Sequence, residues 1–147
     1  MITVKIKRLP HNPDLPLPEK MSELSSGFDL MAALDESLSI APGDTALIPT
    51  GFALSIPKGF EGQVRPRSGL AVKRGLTILN APGTVDADYR GELKVALVNL
   101  GTETVTLKRG DRIGQLVIAP VPAVTLEETS SLDPTTRGDG GFGHTGI

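Results

Sequence analysis

The chain has no cysteine and no tryptophan, and only one tyrosine and four phenylalanines among its 147 residues. Without thiols there is neither a disulfide framework nor a thiolate metal site, so any metal must be held by oxygen or histidine. With aromatic residues at 3%, the core must be aliphatic. Long apolar runs are lacking too. The opening "MITVKIKRLP" alternates apolar and polar residues rather than supplying a signal-type apolar segment, and no later stretch has the length to cross a bilayer. A cytoplasmic protein with no membrane partner is expected.

Excess charge of either sign is absent as well, since 15 Lys and Arg stand against 17 Asp and Glu for a net charge of −2. The basic residues are scattered, which argues against a general nucleic-acid surface. A local group, Arg65, Arg67, Lys73 and Arg74, is left as a place for a small anion. No repeat of fixed period runs through the chain, which excludes a propeller or solenoid.

What is present suits one compact domain. Residues Ile2 to Lys7 alternate as a half-buried strand would, and the proline-rich "PHNPDLPLPEK" after them reads as an extended arm. From Ser37 onward, short apolar runs recur between Pro-Gly, Lys-Gly, Leu-Gly and Arg-Gly turn signals, the spacing of a sandwich or barrel. One short helix is expected over "GLAVKRG", with Ser68 as its N-cap and Gly75 terminating it. After Val124 the chain turns polar and then glycine-rich. The expected fold is all-β, a jelly-roll-like β-sandwich or distorted barrel with one short helix over residues 1–124, followed by a flexible C-terminal arm over 125–147.

Five stretches carry groups suited to chemistry. In "SSGFDLMAA", Asp29 follows Gly27 among small residues, where it either caps a turn or supports a site. In "RPRSGLAVKRG", Arg67 and Ser68 stand at the helix start, where exposed amides and a guanidinium fork can take an anion, though a plain helix cap beside surface arginines also accounts for them. "NAPGTVDADYRGE" holds Asp86 and Asp88 beside Tyr89 and Arg90, following a hairpin expected around Ala81-Pro82-Gly83. On a strand both carboxylates would share a face, one free to act as a base and the other tied to Arg90; a charged turn is the structural alternative. "KRGDRIGQLVIAP" joins a turn at Arg109-Gly110-Asp111 to a strand in which Arg112 and Gln115 are polar among apolar neighbours, which a buried amide bonded to backbone would explain. In "RGDGGFGHTG", glycine amides together with Arg137, His144 and Thr145 can grip a phosphate, and Phe142 is a ring that a merely solvated tail does not need. The "GDGGFG" spacing is not that of a Walker A loop.

In this order the stretches "SGFDLMAA", "RPRSGLA", "NAPGTVDADYRGE", "GDRIGQLV" and "RGDGGFGHTG" resemble the trimeric dUTPase family, the deoxyuridine triphosphate nucleotidohydrolases. The resemblance implies a jelly-roll homotrimer with active sites at subunit boundaries and no nucleic-acid partner. It implies Mg²⁺-dependent hydrolysis of dUTP to dUMP and pyrophosphate, which limits uracil incorporation into DNA and supplies dUMP for dTMP synthesis. By the same resemblance Asp86 activates the water that attacks the α-phosphorus. Tyr89 lies under the deoxyribose and excludes a 2′-hydroxyl, and Asn80 with the adjoining backbone meets the uracil edge. Arg67, Ser68 and Gln115 contact phosphates, Asp29 supports the site, Arg137 reaches the γ-phosphate, and Phe142 stacks over uracil while Thr145 and glycine amides close on the phosphates. Gly69, Gly83, Val85, Lys94 and Gly143 fall among the substrate-binding positions and Asp88 among the supporting ones. The ion is expected mainly on triphosphate oxygens and waters, with no direct protein ligand.

One departure is His144, where the family most often has serine; an imidazole still donates to phosphate, with an added dependence on pH. The nearest rival activity is a dCTP deaminase, alone or combined with dUTP hydrolysis, whose catalytic glutamate would stand on the strand after the aspartate turn. This chain has Ala96 at about that point. A non-catalytic nucleotide-binding module of the same fold is the remaining alternative, against which Asp86, Tyr89 and the complete tail all speak.

Overall fold

A computed structural model describes residues 1–144. Ten strands and one helix follow in the order β1 (Lys5–Arg8), β2 (Phe28–Met31), β3 (Leu38–Ile40), β4 (Thr45–Ser55), β5 (Phe60–Arg65), α1 (Ser68–Arg74), β6 (Leu76–Ile78), β7 (Gly83–Val85), β8 (Glu92–Asn99), β9 (Val105–Leu107) and β10 (Arg112–Pro120). Two four-stranded sheets, ordered β1-β4-β8-β6 and β2-β10-β5-β7, make the jelly-roll sandwich, and β3 pairs with β9 in a small third sheet. Every pairing is antiparallel.

Period-two alternation explains which residues meet between the sheets. In β8, Leu93, Val95 and Leu97 are buried while Lys94 points to solvent. Ile48 and Leu54 of the neighbouring β4 join them on the same face, and Val64 of β5 and Leu116 of β10 meet them from the other sheet. The core is aliphatic, as the scarcity of rings required; among the described residues only Phe52 is a buried aromatic side chain. A register shift between Arg112 and Gly114 breaks the alternation in β10, so that Ile113 and Leu116, three positions apart, both reach the core.

Three expectations are corrected here. The proline-rich segment is no free arm. Asn12 is wholly buried, its amide donates to the Thr50 carbonyl at 3.0 Å, and its Oδ1 accepts the Leu15 N–H at 3.1 Å. Gly51, with φ of 72°, supplies the space: a Cβ there would run into the Asn12 side chain. Periodicity missed this because polar bonds without a period, from the Asn12 amide and from Arg109 to Asp14 and the His11 carbonyl, do the docking rather than an apolar stripe.

Secondly, the helix is capped by Arg67 in an extended conformation, with no side-chain cap bond, and Ser68 is its first residue. The Arg67 carbonyl already accepts from the Leu70 and Ala71 amides, so helical bonding begins one residue early and the Ser68 side chain is released from capping. Gly75 ends the helix as expected, left-handed at φ 67°. Thirdly, Ala81-Pro82-Gly83 closes no hairpin. The strand before it, β6, pairs with β8, and the strand after it, β7, pairs with β5 in the other sheet. Ile78 and Val85 are buried in the same core from opposite sheets, so the segment, with a cis Ala81–Pro82 bond, crosses the sandwich instead of turning back.

Candidate active site

The first group of polar residues forms where β2, β5, β10 and the start of α1 meet. Asp29 of β2 lies opposite Gln115 of β10 in the ladder, and Gln115 lies opposite Arg65 of β5. The Asp29 carboxylate is almost buried; it accepts a hydrogen bond from Arg112 Nη1 at 3.2 Å and has Arg67 Nε at 3.7 Å. Arg67 also donates to the Arg112 carbonyl at 3.2 Å. Two guanidiniums therefore share one carboxylate, which leaves the cluster with a surplus positive charge suited to an anion. Gln115 donates from Nε2 to the Pro66 carbonyl at 3.0 Å, the amide-to-backbone bond expected of it. It is seated by Gly27, since a Cβ at that position would run into Gln115 Oε1.

Beside this cluster, Gln63, Arg65, Pro66, Ser68, Ala81, Pro82 and Gln115 line a cleft of about 510 Å³. Sequence reasoning did not assign Arg112 to the site; its only signal was a cation in an otherwise apolar strand. The anticipated basic group does not act as one unit. Arg65 donates to Gln63 Oε1, Arg67 turns to Asp29, and Lys73 and Arg74 sit in the last turn of the helix. Gly69 lies in the helix's first turn, where a Cβ would meet nothing within 4 Å.

A second group lines a cavity of about 110 Å³ against the outer side of β8, made by Leu47, Val64, Asn80, Gly83, Thr84, Val85, Lys94 and Ala96. Four sequence-predicted residues thus come together: Asn80, Gly83, Val85 and Lys94. Gly83 has little room to spare, because a Cβ on it would stand 3.2 Å from the Asn80 amide nitrogen. Ala96 places a methyl in this cavity, where a deaminase reading would need a carboxylate.

Beyond β7 the chain leaves the sheet, and the Tyr89 amide closes a turn on the Asp86 carbonyl at 3.1 Å. Asp86 and Asp88 are therefore on a turn and not a strand, because the ladder with β5 ends at Val85. Arg90 does not hold Asp88; its guanidinium donates to the Ala87 and Tyr89 carbonyls at 2.6 and 2.9 Å and stiffens the turn. Both carboxylates are exposed, and among the described residues neither makes an ion pair or a side-chain hydrogen bond. They border a cavity of about 630 Å³ with Lys58, Phe60, Glu61 and Arg90. The Tyr89 hydroxyl donates to the Glu92 carbonyl at 3.0 Å.

In the tail, residues after β10 are exposed, apart from the half-buried Gly140 and Gly141, and form no strand or helix as far as residue 144. Arg137 Nε donates to the Gly140 carbonyl at 2.8 Å, Gly143 is left-handed, and Phe142 is fully exposed at φ 50°. Arg137, Gly143 and His144 gather with Thr136 around a hollow of their own. Thr145 lies outside the described residues. Within one chain, then, Ser68 with Gln115, Asn80 with Lys94, Asp86 with Asp88, and Arg137 with His144 line four different hollows.

The sequence model of the dUTPase family matches residues 14–146, which takes in every one of these groups. This chain belongs to the dUTPase family. The deoxyuridine 5′-triphosphate nucleotidohydrolase of Aquifex aeolicus is 62% identical over 145 residues, covering 99% of this chain and 97% of the relative. That of Methylocella silvestris is 55% identical over 147 residues, covering 99% and 92%. Among solved structures, a variant of the Staphylococcus bacteriophage 80alpha dUTPase bound to dUpNHpp is 27% identical, with a TM-score of 0.85 and complete coverage of both chains. A phage phi11 dUTPase variant, 26% identical with a TM-score of 0.79, covers 90% of this chain and 100% of its own, and it coordinates a structural Mg(II) ion. The dUTPase family accounts for the strand order and for a polar cluster at the start of β10, which a sandwich needs for neither packing nor closure.

Proposed function

We propose that this chain hydrolyses dUTP to dUMP and pyrophosphate, on one observation above all: the family match runs through every polar group described and stops short of none of them. Asp86 acts as the general base. Its carboxylate is exposed and uncommitted among the described residues, free to take a proton from water as that oxygen attacks the α-phosphorus. As the new P–O bond forms, the bond from the α-phosphorus to the bridging oxygen breaks and its electron pair leaves with pyrophosphate. Arg67, Ser68 and Gln115 hold the phosphates, where the surplus charge of the Asp29 cluster opposes the triphosphate's negative charge. Asn80, with Gly83, Val85 and Lys94, receives the base, and Tyr89 bears the deoxyribose.

Residues 125–147 act as an arm whose Arg137, Phe142, Gly143, His144 and Thr145 close over bound nucleotide. Among the described residues no three Asp, Glu or His side chains converge to cage a metal. Mg²⁺ would be held mainly by triphosphate oxygens and waters, where it would offset phosphate charge. Asp86 lines a different cavity from Ser68 and Gln115, which supports a working site shared between subunits of a homotrimer. No helix among the described residues is long and apolar enough to cross a membrane, and we place the enzyme in the cytoplasm. The test is pyrophosphate release from dUTP with Mg²⁺, in wild type and in Asp86→Asn. Wild type should turn over, and the variant should bind nucleotide while losing turnover. Near-normal turnover in Asp86→Asn, or ammonia release from dCTP, would refute the assignment, and sedimentation as a monomer would refute the shared site.

A further inference from the structure

Tyr89 is half exposed, yet its ring is not free. The hydroxyl donates to the Glu92 carbonyl three residues on, so the ring folds back over the backbone of Gly91. A Cβ on Gly91 would stand 2.6 Å from Tyr89 Cζ and 2.9 Å from Cε2, distances that carbon atoms do not share. Gly91 is not in a left-handed conformation, so its backbone alone would accept any residue. What requires glycine is the ring. Gly69 and Gly141 offer a contrast, because a Cβ at either would meet open space.

The carbonyl that anchors the phenol is itself held firmly. Glu92 opens β8 opposite Ala53, and its Oε1 accepts the Gly51 N–H at 2.9 Å and contacts His11 Nε2 at 2.8 Å. The next carbonyl, of Leu93, accepts the Thr50 hydroxyl at 2.6 Å. The ring is thus fixed at its hydroxyl end by a rigid strand start and on its inner side by the absence of a side chain at Gly91.

We infer that Gly91 is a specificity-determining residue: by leaving the room in which Tyr89 folds back onto the chain, it sets how closely that ring meets the sugar and so excludes a 2′-hydroxyl. The inference rests on the reading of Tyr89 as the surface beneath the deoxyribose. Adding one methyl costs the fold little, because the ring can swing outward into solvent, but the swing detaches the hydroxyl and moves the surface that the sugar meets. Gly91→Ala should therefore melt like wild type while preferring deoxyribose less.

Calorimetric affinities for dUMP and UMP test this apart from catalysis. In Gly91→Ala the dUMP-to-UMP affinity ratio should fall about tenfold or more, the scale at which a site rejects or admits one small group. In a Tyr89→Ala background the same substitution should change the ratio less than about twofold, since the added methyl then meets no ring. Tyr89→Phe, which cuts the tether without adding an atom, should lower the ratio by a smaller factor. Tyr89 is the only tyrosine and the chain has no tryptophan, so intrinsic emission reports on this ring alone, and Gly91→Ala should shift it in the unliganded protein. A wild-type ratio in Gly91→Ala, or an equal fall with and without Tyr89, would overturn the inference. If Tyr89→Ala keeps the wild-type ratio, the tyrosine's role fails and the inference with it. Loss of dUTP hydrolysis with the ratios behaving as stated would refute only the catalytic assignment.

Discussion

Replacing Asn12 by alanine deletes one buried amide and nothing else that the backbone needs. Arg8 Nη1 donates to the carbonyls of Asn12 and Leu15, and both of those acceptors survive the change. What is lost is the donor to the Thr50 carbonyl and the acceptor for the Leu15 N–H, with Asn12 wholly buried and Thr50 and Leu15 nearly so, together with a long bond from Arg8 Nη1 to Oδ1 at 3.4 Å whose donor keeps its two carbonyls. Each orphaned buried group costs about 1–3 kcal/mol, so the variant should lose about 2–6 kcal/mol. With an unfolding entropy of about 2.1 cal/mol/K per residue, a chain of this length loses about 3 °C of Tm per kcal/mol, a fall of about 6–19 °C. The assay is a thermal melt of wild type and variant at equal protein concentration, because an oligomer's Tm depends on concentration. Entry of one water would satisfy both groups and bring the result to the low end of that range. A fall under about 3 °C would refute the reasoning and restore the proline-rich segment to a loosely held arm.

Three further outcomes are expected. Gly27→Ala should push Gln115 off the Pro66 carbonyl with little loss of stability, and should cost about 1–1.5 kcal/mol in transition-state binding, or about tenfold in kcat/KM for dUTP; unchanged kinetics would show that Gln115 has no part in binding. Ending the chain before Arg137 should leave the melt unchanged and lower turnover by about a hundredfold or more, and full turnover would deny the arm any role in closure. Asp14 is held below the usual carboxylate range by a hydrogen bond from Arg109, so its contribution is present at neutral pH and is lost as pH falls through the depressed value. The Tm gap between wild type and Asp14→Asn should therefore shrink in acid, and a gap that widens there would contradict the pairing.

Much of this protein could be read without coordinates. The strands announced themselves because alternation of aliphatic and polar residues marks a half-buried strand, as Glu92 to Leu97 show, and left-handed glycines end α1 and shape the Arg109-Gly110-Asp111 turn as read. The residue types needed for chemistry were equally plain in the five stretches. Gly91 was different: the sequence places it beside Tyr89, but only the folded ring shows why a side chain there would intrude.

What the sequence by itself determined was local: which segments extend, where they turn, and which face of each strand is apolar. The tertiary structure alone decided partners. It sent β6 and β7 to opposite sheets where a hairpin was expected, and put Asp86 on a turn rather than a strand, two conformations between which the sequence did not choose. It brought Arg112 and Arg67 to a single carboxylate, and drew Asn12 into the interior. The physical reason is that alternation encodes the face a strand buries but not the strand it lies beside. Partners are chosen by contacts between residues far apart in the chain, and a lone buried amide such as Asn12 carries no period at all.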